Sequence, residues 1–432
     1  VTTVIRARTS QSLPRGGPPA EAGSAATGPP TALCAKDEAR DAYCDTGLLF
    51  VVGVLMTLGA VMVYSASVTL EDSTPDWRRW WTSPLRQCVF AGLGLVAMFL
   101  SARLDFRLLA WRRPGDGWRA GLPALLAAVL IVAALIPGVG VRGGGAQRSI
   151  PLSLGGLTLT FQPAELGKLT MVIWLAALLS RSSPPTGERD GHGAVRGAAR
   201  PSGGVRSLPV YLAAVGSAGV LIGLTAIEDF GTAALMGAVA MGMLFAAGAR
   251  WSHLLATGLL AVPAAAVLVL IEPYRVQRLL TYFSASPDPS AEGYQVTQAL
   301  IAIASGGWWG QGLGAGVQKY GYLPQDNNDF IMAVVCEELG VVGGIAVALL
   351  FLVLLWRGAR LSLRCTDPFG RLLAGGITLL ICLQAAFNLG VVTNSVPTKG
   401  ISLPFVSAGG SGVLVLGLAA GLLASVRRCC SR

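Results

Sequence analysis

Ten apolar stretches, at residues 48–66, 86–102, 120–137, 163–180, 209–227, 230–247, 252–271, 330–356, 371–390 and 409–426, limit what this chain can become. Each lies near the ~20 residues that a helix rising about 1.5 Å per residue needs to cross about 30 Å of hydrocarbon. Charged residues make up 13% of the chain and hydrophobic ones 53%. A soluble chain carries about 25% charge, so this one has too few polar side chains to cover itself and must use lipid as its solvent. Inside a bilayer each backbone N–H and C=O has to be paired within the protein, and a helix does this within one segment. The predicted architecture is all-α: a polytopic membrane protein with ten transmembrane helices. The boundary between the fifth and sixth is the least sharply marked, because only a few residues separate them.

An even number of spans brings both termini to one side, and arginine placement selects it. Arg103, Arg107, Arg112, Arg113 and Arg119 follow the second stretch, and Arg181, Arg189, Arg196, Arg200 and Arg206 follow the fourth. Arg250, Arg357, Arg360, Arg364, Arg371, Arg427, Arg428 and Arg432 fall on the same side. The first loop on the opposite side begins with Glu71, Asp72 and Asp76. Positive residues concentrate in cytoplasmic loops, so both termini are expected in the cytoplasm. The formal charge of +10 is then a topology signal with an attraction to anionic lipid, and no nucleic-acid partner is expected. Residues 1–47, rich in Gly, Pro, Ala, Ser and Thr, read as a disordered cytoplasmic tail. Residues 48–426 read as the membrane domain with a large extracytoplasmic loop at 272–329, and 427–432 as a short cytoplasmic tail. The first apolar run starts too late and runs too long for a secretory signal. The eight cysteines show no metal-ligand spacing, and two histidines, His192 and His253, are too few for a histidine-based cluster.

Unusual residues gather on or beside the outward loops. The stretch from Ser305 to Glu338 places six glycines between Gly306 and Gly316, followed by Lys319, an aromatic and polar cluster, and Asp329 at the entry to an apolar run. A carboxylate at such a depth costs several kcal/mol unless it faces a polar cavity, which makes Asp329 a functional candidate. Capping of the following helix is the structural alternative, and the two are compatible. Lys319 joins it as a substrate-binding candidate, with Trp308 as a headgroup anchor or a contact for a lipid tail. In residues 143–169, Arg148 stands outside, while Glu165 and Lys168 fall three apart in the first turns of a helix that opens on Pro163. They can form a salt bridge or line a substrate cavity. In AIEDFGTA, residues 226–233, Glu228 and Asp229 suit the polar hinge of a tight hairpin better than a cation site. In residues 394–412 two prolines and later glycines interrupt an apolar run, and Lys399 is the one charge. It either snorkels to the interface or neutralises a phosphate. Glu337 and Glu338 lie deeper. On a straight helix Glu338 is about 13 Å from Asp329 along the axis, which suits a supporting role.

From these residues alone a carrier, an enzyme acting on a lipid substrate and a scaffold all stay open. Broken segments and intramembrane charge put the carrier first among them, and placement is what discriminates: the unusual residues gather at the outer loops and outer helix ends, whereas a carrier usually keeps its site near the midplane. The segments VMVYSAS (61–67), FQPAELGKL (161–169), GYQVTQALIAIASGGWWGQGLGAGVQKYGYLP (293–324), NNDFIMAVVCEELG (327–340) and PTKGISLPFVSAGGSG (397–412) add a specific signal. In this order, the chain resembles the FtsW/RodA/SpoVE family, the SEDS proteins of shape, elongation, division and sporulation, and its wording lies nearer the division branch.

The resemblance implies a peptidoglycan glycosyltransferase of the bacterial cytoplasmic membrane, at the division septum. It would polymerise lipid II on the outer face, together with a class B penicillin-binding protein that supplies the transpeptidase and with other divisome membrane proteins. Lipid II flipping or a non-catalytic structural role in the divisome are the alternatives. The family's essential aspartate falls on Asp329, and the resemblance also brings in Arg148, Glu165, Lys168 and Lys399, with Asp229 matched. Three positions depart from the family pattern: Ser149 stands where tryptophan is usual, Ala164 for serine, and Glu228 for proline. Glycan growth of this kind needs one inverting displacement, in which a sugar hydroxyl attacks an anomeric carbon that bears a lipid pyrophosphate. Asp329 would serve as general base or hold a divalent cation, Mg2+ or Mn2+. No organic cofactor is expected.

Overall fold

Helix formation follows directly from the apolar stretches, whose Leu, Ala, Val and Gly side chains leave the backbone free to pair with itself. The computed structural model describes residues 45–67, 84–110, 118–136, 138–143, 146–154, 157–181, 205, 207–283, 291–318, 328–397 and 400–430, all within one unit, Ala42–Arg432. Each stretch becomes a helix: α1 (Thr46–Ser67), α2 (Pro84–Arg103), α3 (Trp118–Leu135), α4 (Pro163–Arg181), α5 (Leu208–Glu228), α6 (Phe230–Ala246), α7 (Trp251–Leu270), α10 (Ile331–Arg364), α11 (Pro368–Val392) and α12 (Ser411–Cys430). Two further helices, α8 (Pro273–Phe283) and α9 (Ala291–Gly306), lie in the long loop before α10.

The expectation of ten crossing helices is corrected in part. Among the described residues, seven helices are long and apolar enough to cross a membrane: α1, α3, α4, α5, α7, α10 and α11. Of the other three, α6 and the apolar portion Ser411–Arg427 of α12 fall short in length. The third, α2, carries Arg86, Gln87 and Arg103, which lower its apolar character. The described part is otherwise a helical, polytopic membrane fold. The tail at 1–44 lies outside the described residues.

A small sheet departs from the all-helical expectation. β1 (Val141–Gly143), β2 (Ala146–Leu154) and β3 (Leu157–Phe161) form an antiparallel meander, with Ile150 opposite Phe161 and Leu154 opposite Leu157. Its cause is legible in hindsight, since SIPLSL and LTLTF alternate apolar and polar residues with the period of a strand.

The bundle is built around α4, 78% of whose apolar window is enclosed by protein, whereas the corresponding figure for α7 is 6%. The close pairing of α2 with α12 depends on glycine: a side chain at Gly417 or Gly421 would collide with the backbone of α2 at Gly94 or Met98. Small residues let membrane helices approach in this way. At one end of the bundle, the carboxylate of Asp45 accepts from Arg357 at 2.7 Å and lies 3.2 Å from Arg427, clasping the ends of α1, α10 and α12.

The 34-residue α10 is broken. Gly340 has φ 75° and ψ 179°, a conformation open to glycine and hostile to a side chain. Backbone groups freed by the break are taken up by the glycine-rich turn after α9. Gln311 N–H donates to Glu337 O and Gly312 N–H to Glu338 O, while Val341 N–H donates to Gly307 O. Irregular backbone inside a membrane protein requires such internal pairing. It separates a short upper half of α10, residues 331–339, from a long lower half.

Candidate functional site

Asp329 sits half-buried in the turn that leads into α10. The cap position of α10 falls on Phe330 and carries no side-chain cap bond, so Asp329 is not the N-cap of this helix. Two polar side chains grip its backbone. The amide of Asn388, on α11, donates to Asp329 O and to Ile401 O, each at 2.8 Å. The hydroxyl of Ser407 donates to Asn328 O at 2.6 Å and accepts from Leu403 N–H at 2.7 Å. The loop between α11 and α12 is thereby fastened to the Asp329 turn. Within it, the buried Phe405 takes φ 67°, a strained conformation for a bulky residue.

The pair at the start of α4 lies next to the same loop. Lys168 Nζ bonds Glu165 Oε1 at 2.8 Å and Gln384 Oε1 at 2.8 Å. Gln384 Nε2 in turn donates to Ser402 O at 2.9 Å. Glu165 is 7% exposed, Lys168 2% and Gln384 fully buried, so this is an enclosed ion pair with further hydrogen bonds, the condition under which a buried pair is tolerated. Gly412 packs against Glu165 Oε2, and Ser411 Oγ accepts from Gln162 N–H at 3.0 Å. The structure therefore brings together three sequence clusters: the Asp329 turn, the Glu165–Lys168 pair and the 400–412 part of the loop.

The other candidates are placed differently. Arg148 lies in β2, between Gln147, opposite Arg142, and Ser149, opposite Val141. Lys319 and Lys399 lie outside the described residues. Trp308 is 68% exposed in the turn after α9, and its carbonyl lies 3.3 Å from the N–H of Val342 beyond the break. Asp229 caps α6, accepting from Gly231 N–H at 2.8 Å and from the Thr232 hydroxyl at 2.7 Å. The hinge reading of that hairpin is the one its geometry fits. Glu338 is held by Ser65 on α1, and Glu337 Oε1 accepts from Val317 N–H at 2.8 Å. Among the described residues no group of three or more His, Cys, Asp or Glu side chains comes together to hold a metal.

Gln384, Asn388 and Ser407 were absent from the sequence-based candidates. Their signal was present: Gln384 and Asn388 are two amides four residues apart in an apolar stretch, hence on one helix face. Polar groups in a membrane span are functional candidates, but uncharged ones draw less attention than a carboxylate.

A bundle of membrane helices with a polar, partly enclosed aspartate turn at one end defines a class of integral membrane protein with a built site. The chain belongs to the FtsW/RodA/SpoVE family of cell cycle proteins, whose sequence profile matches residues 46–431. It is 37% identical over 385 residues to the stage V sporulation protein E of Bacillus subtilis, covering 89% of this chain and 97% of that one. It is also 37% identical over 383 residues to the probable peptidoglycan glycosyltransferase FtsW of Geobacter sulfurreducens, covering 88% and 94%. Relatives named FtsW agree with the division-branch wording of the motifs. Among solved structures, a chain from work on the structural coordination of polymerization and crosslinking by a peptidoglycan synthase complex superposes with a TM-score of 0.66, at 26% identity over 89% of this chain and 98% of that chain. The Thermus thermophilus rod shape determining protein RodA gives a TM-score of 0.58 at 26% identity, over 90% and 97%.

Proposed function

We propose that this protein is a peptidoglycan glycosyltransferase of the cytoplasmic membrane, which polymerises lipid II into β-1,4-linked glycan at the division septum with Asp329 as its base. The observation that carries this reading is the fastening of the Asp329 turn to the loop between α11 and α12, the loop on which Lys399 falls in sequence. Likeness to proteins named as glycosyltransferases and to a chain of a peptidoglycan synthase complex supports it. In this reading α2, α6 and α12 also cross the bilayer, tilted or with local thinning to accommodate their shorter apolar length. Both termini are then cytoplasmic and the Asp329 end faces outward. Residues 1–47 and 427–432 are the cytoplasmic tails, and 272–329 is the extracytoplasmic loop. A class B penicillin-binding protein crosslinks the product, and other divisome membrane proteins complete the assembly.

The chemistry follows from what the reaction must move. Asp329 accepts the proton of the attacking sugar hydroxyl, whose oxygen forms a bond to the anomeric carbon while the bond from that carbon to the pyrophosphate oxygen breaks. The electron pair leaves with the undecaprenyl pyrophosphate, and attack from the opposite face inverts the anomeric centre. Lys399, Arg148 and Lys319 supply positive charge for the leaving group and the donor's phosphates. The enclosed Glu165–Lys168 pair supports the loop between α11 and α12 through Gln384, which donates to Ser402 O. A divalent cation, Mg2+ or Mn2+, would be held by Asp329 together with the substrate phosphates, since Mg2+ is typically bound by one or two carboxylates plus phosphates, and it would supply charge to the pyrophosphate. Among the described residues no group of three or more His, Cys, Asp or Glu side chains stands ready to hold it without the substrate. The test is reconstitution with lipid II, Mg2+ and the cognate transpeptidase, reading chain length on a gel. Wild type is expected to make glycan and D329N to lose it by 10²-fold or more, the scale of general-base assistance, while staying folded and partner-bound. Flipping of lipid II without polymerisation, or normal polymerisation by D329N, overturns the reading.

A further inference from the structure

Asn328 and Asp329 are gripped at consecutive carbonyls by two side chains that also hold the loop between α11 and α12. One nitrogen of Asn388 serves both Asp329 O and Ile401 O, at 2.8 Å each, so those two carbonyls sit within two hydrogen-bond lengths of each other. Ser407 bridges Asn328 O and Leu403 N–H, at 2.6 and 2.7 Å. Both side chains are 1% exposed. Simple filling of space at such positions calls for an apolar side chain, and Asn388 keeps its amide although Oδ1 is buried with no hydrogen-bond partner. Leaving an acceptor in that state is costly, so the donor half of the amide has to offset it. The strained Phe405 lies two residues before Ser407, and backbone strain of this kind persists where surrounding structure over-determines it, commonly at functional sites.

We propose that Asn388 and Ser407 are positioning residues for polymerisation: they set the backbone of the Asp329 turn against residues 401–407 of the loop between α11 and α12, so that the base is held at a fixed place beside that loop. Neither side chain touches the reacting atoms in this scheme. The inference rests on the polymerase reading above and deepens it.

The test uses the full chain in liposomes with its crosslinking partner, lipid II and Mg2+, with kcat and KM for lipid II measured for wild type, S407A, S407T and N388D, and thermal unfolding followed in parallel. S407A removes one hydroxyl. N388D keeps the shape and replaces the donor nitrogen by an acceptor. Both are expected to lower kcat by at least ~10-fold, since a displacement of about 1 Å costs up to about 10²-fold, with KM within about twofold of wild type because ground-state binding is untouched. S407T keeps the hydroxyl and is expected to recover most of the rate. Wild-type kcat in S407A and N388D overturns the inference, as does a loss confined to KM or an S407T as slow as S407A. An S407A that no longer folds also overturns it, since the hydroxyl then maintains the fold and not the carboxylate. Wild type that makes no glycan in the same assay removes the polymerase reading itself, a failure distinguishable from all of these.

Discussion

Ser65 on α1 places its hydroxyl 2.7 and 2.8 Å from the two carboxylate oxygens of Glu338 on α10, joining residues 273 positions apart in a buried setting. With Glu337 accepting from Val317 N–H and Gln318 N–H, the lower end of the 331–339 half-helix is tied both to α1 and to the glycine-rich turn. The Asp329 turn is at its other end. This half-helix is thus tied at both ends by side chains, and at its lower end also by backbone bonds from Gln311 and Gly312.

Gly340→Ala is expected to be poorly tolerated. Its φ of 75° is closed to most side chains, and an added carbon would collide with the backbone of Trp308 and Gly310. The left-handed conformation alone costs about 1–2 kcal/mol per non-glycine residue, and the collision adds to it. A fall in thermal midpoint together with loss of polymerisation is the expected result, read by detergent-solubilised melting and gel assay. An unchanged midpoint would show that the break relaxes into a straight helix.

Lys168→Ala should be more damaging than replacing both members of the pair. Lys168 and Glu165 side chains are 3% and 9% exposed, and removing one partner leaves an enclosed charge, at a cost of about 3–5 kcal/mol. The double variant E165Q/K168M is expected to regain part of that loss. Thermal melts of the two single variants and the double variant check the prediction, and additive losses count against it.

Asp229→Ala tests whether this carboxylate is more than a cap. Loss of a capping side chain typically costs ~1 kcal/mol, and Asp229 has Gly231 N–H, Thr232 N–H and the Thr232 hydroxyl as partners. A small drop in stability with glycan synthesis retained is expected. A folded variant without activity would return Asp229 to the site.

Asp45→Asn should loosen the opposite end of the bundle without silencing it. Arg357 and Arg427 are each about one-third exposed, so the ion pairs are partly screened and their loss is expected to cost about 1 kcal/mol. The effect should shrink at high salt, where screening has already weakened the wild-type clasp. Melting curves at low and high ionic strength, beside a polymerisation assay, decide it.

The positions of the helices were legible because a span must be apolar over a fixed length, and each of the ten stretches yields one. The count of seven that satisfy length and apolarity arises from details such as Arg86 in α2 and the 17 residues of α6. The break at Gly340 was not legible, since one glycine in an apolar run is common in membrane helices and the cause lies in a turn some thirty residues earlier. The sheet at 141–161 is short and lies between two helical spans, so its strand-period alternation is a weak signal beside theirs. At the site, Asp329 stood out by charge. Asn388 and Ser407 did not, because a neutral polar residue costs less to bury and its partners are backbone carbonyls that no sequence pattern announces.

The glycine break also decides what the long segment of α10 pulls on. Val341 and Val342, the first residues past Gly340, donate to Gly307 O and Trp308 O, so the turn after α9 seats both sides of the break. A helix adapts to a thicker or thinner hydrocarbon layer mainly by changing its slant, and a change of slant in the long segment is therefore passed to that turn, which is bonded in its own right to Glu337 and Glu338 of the segment leading back to Asp329.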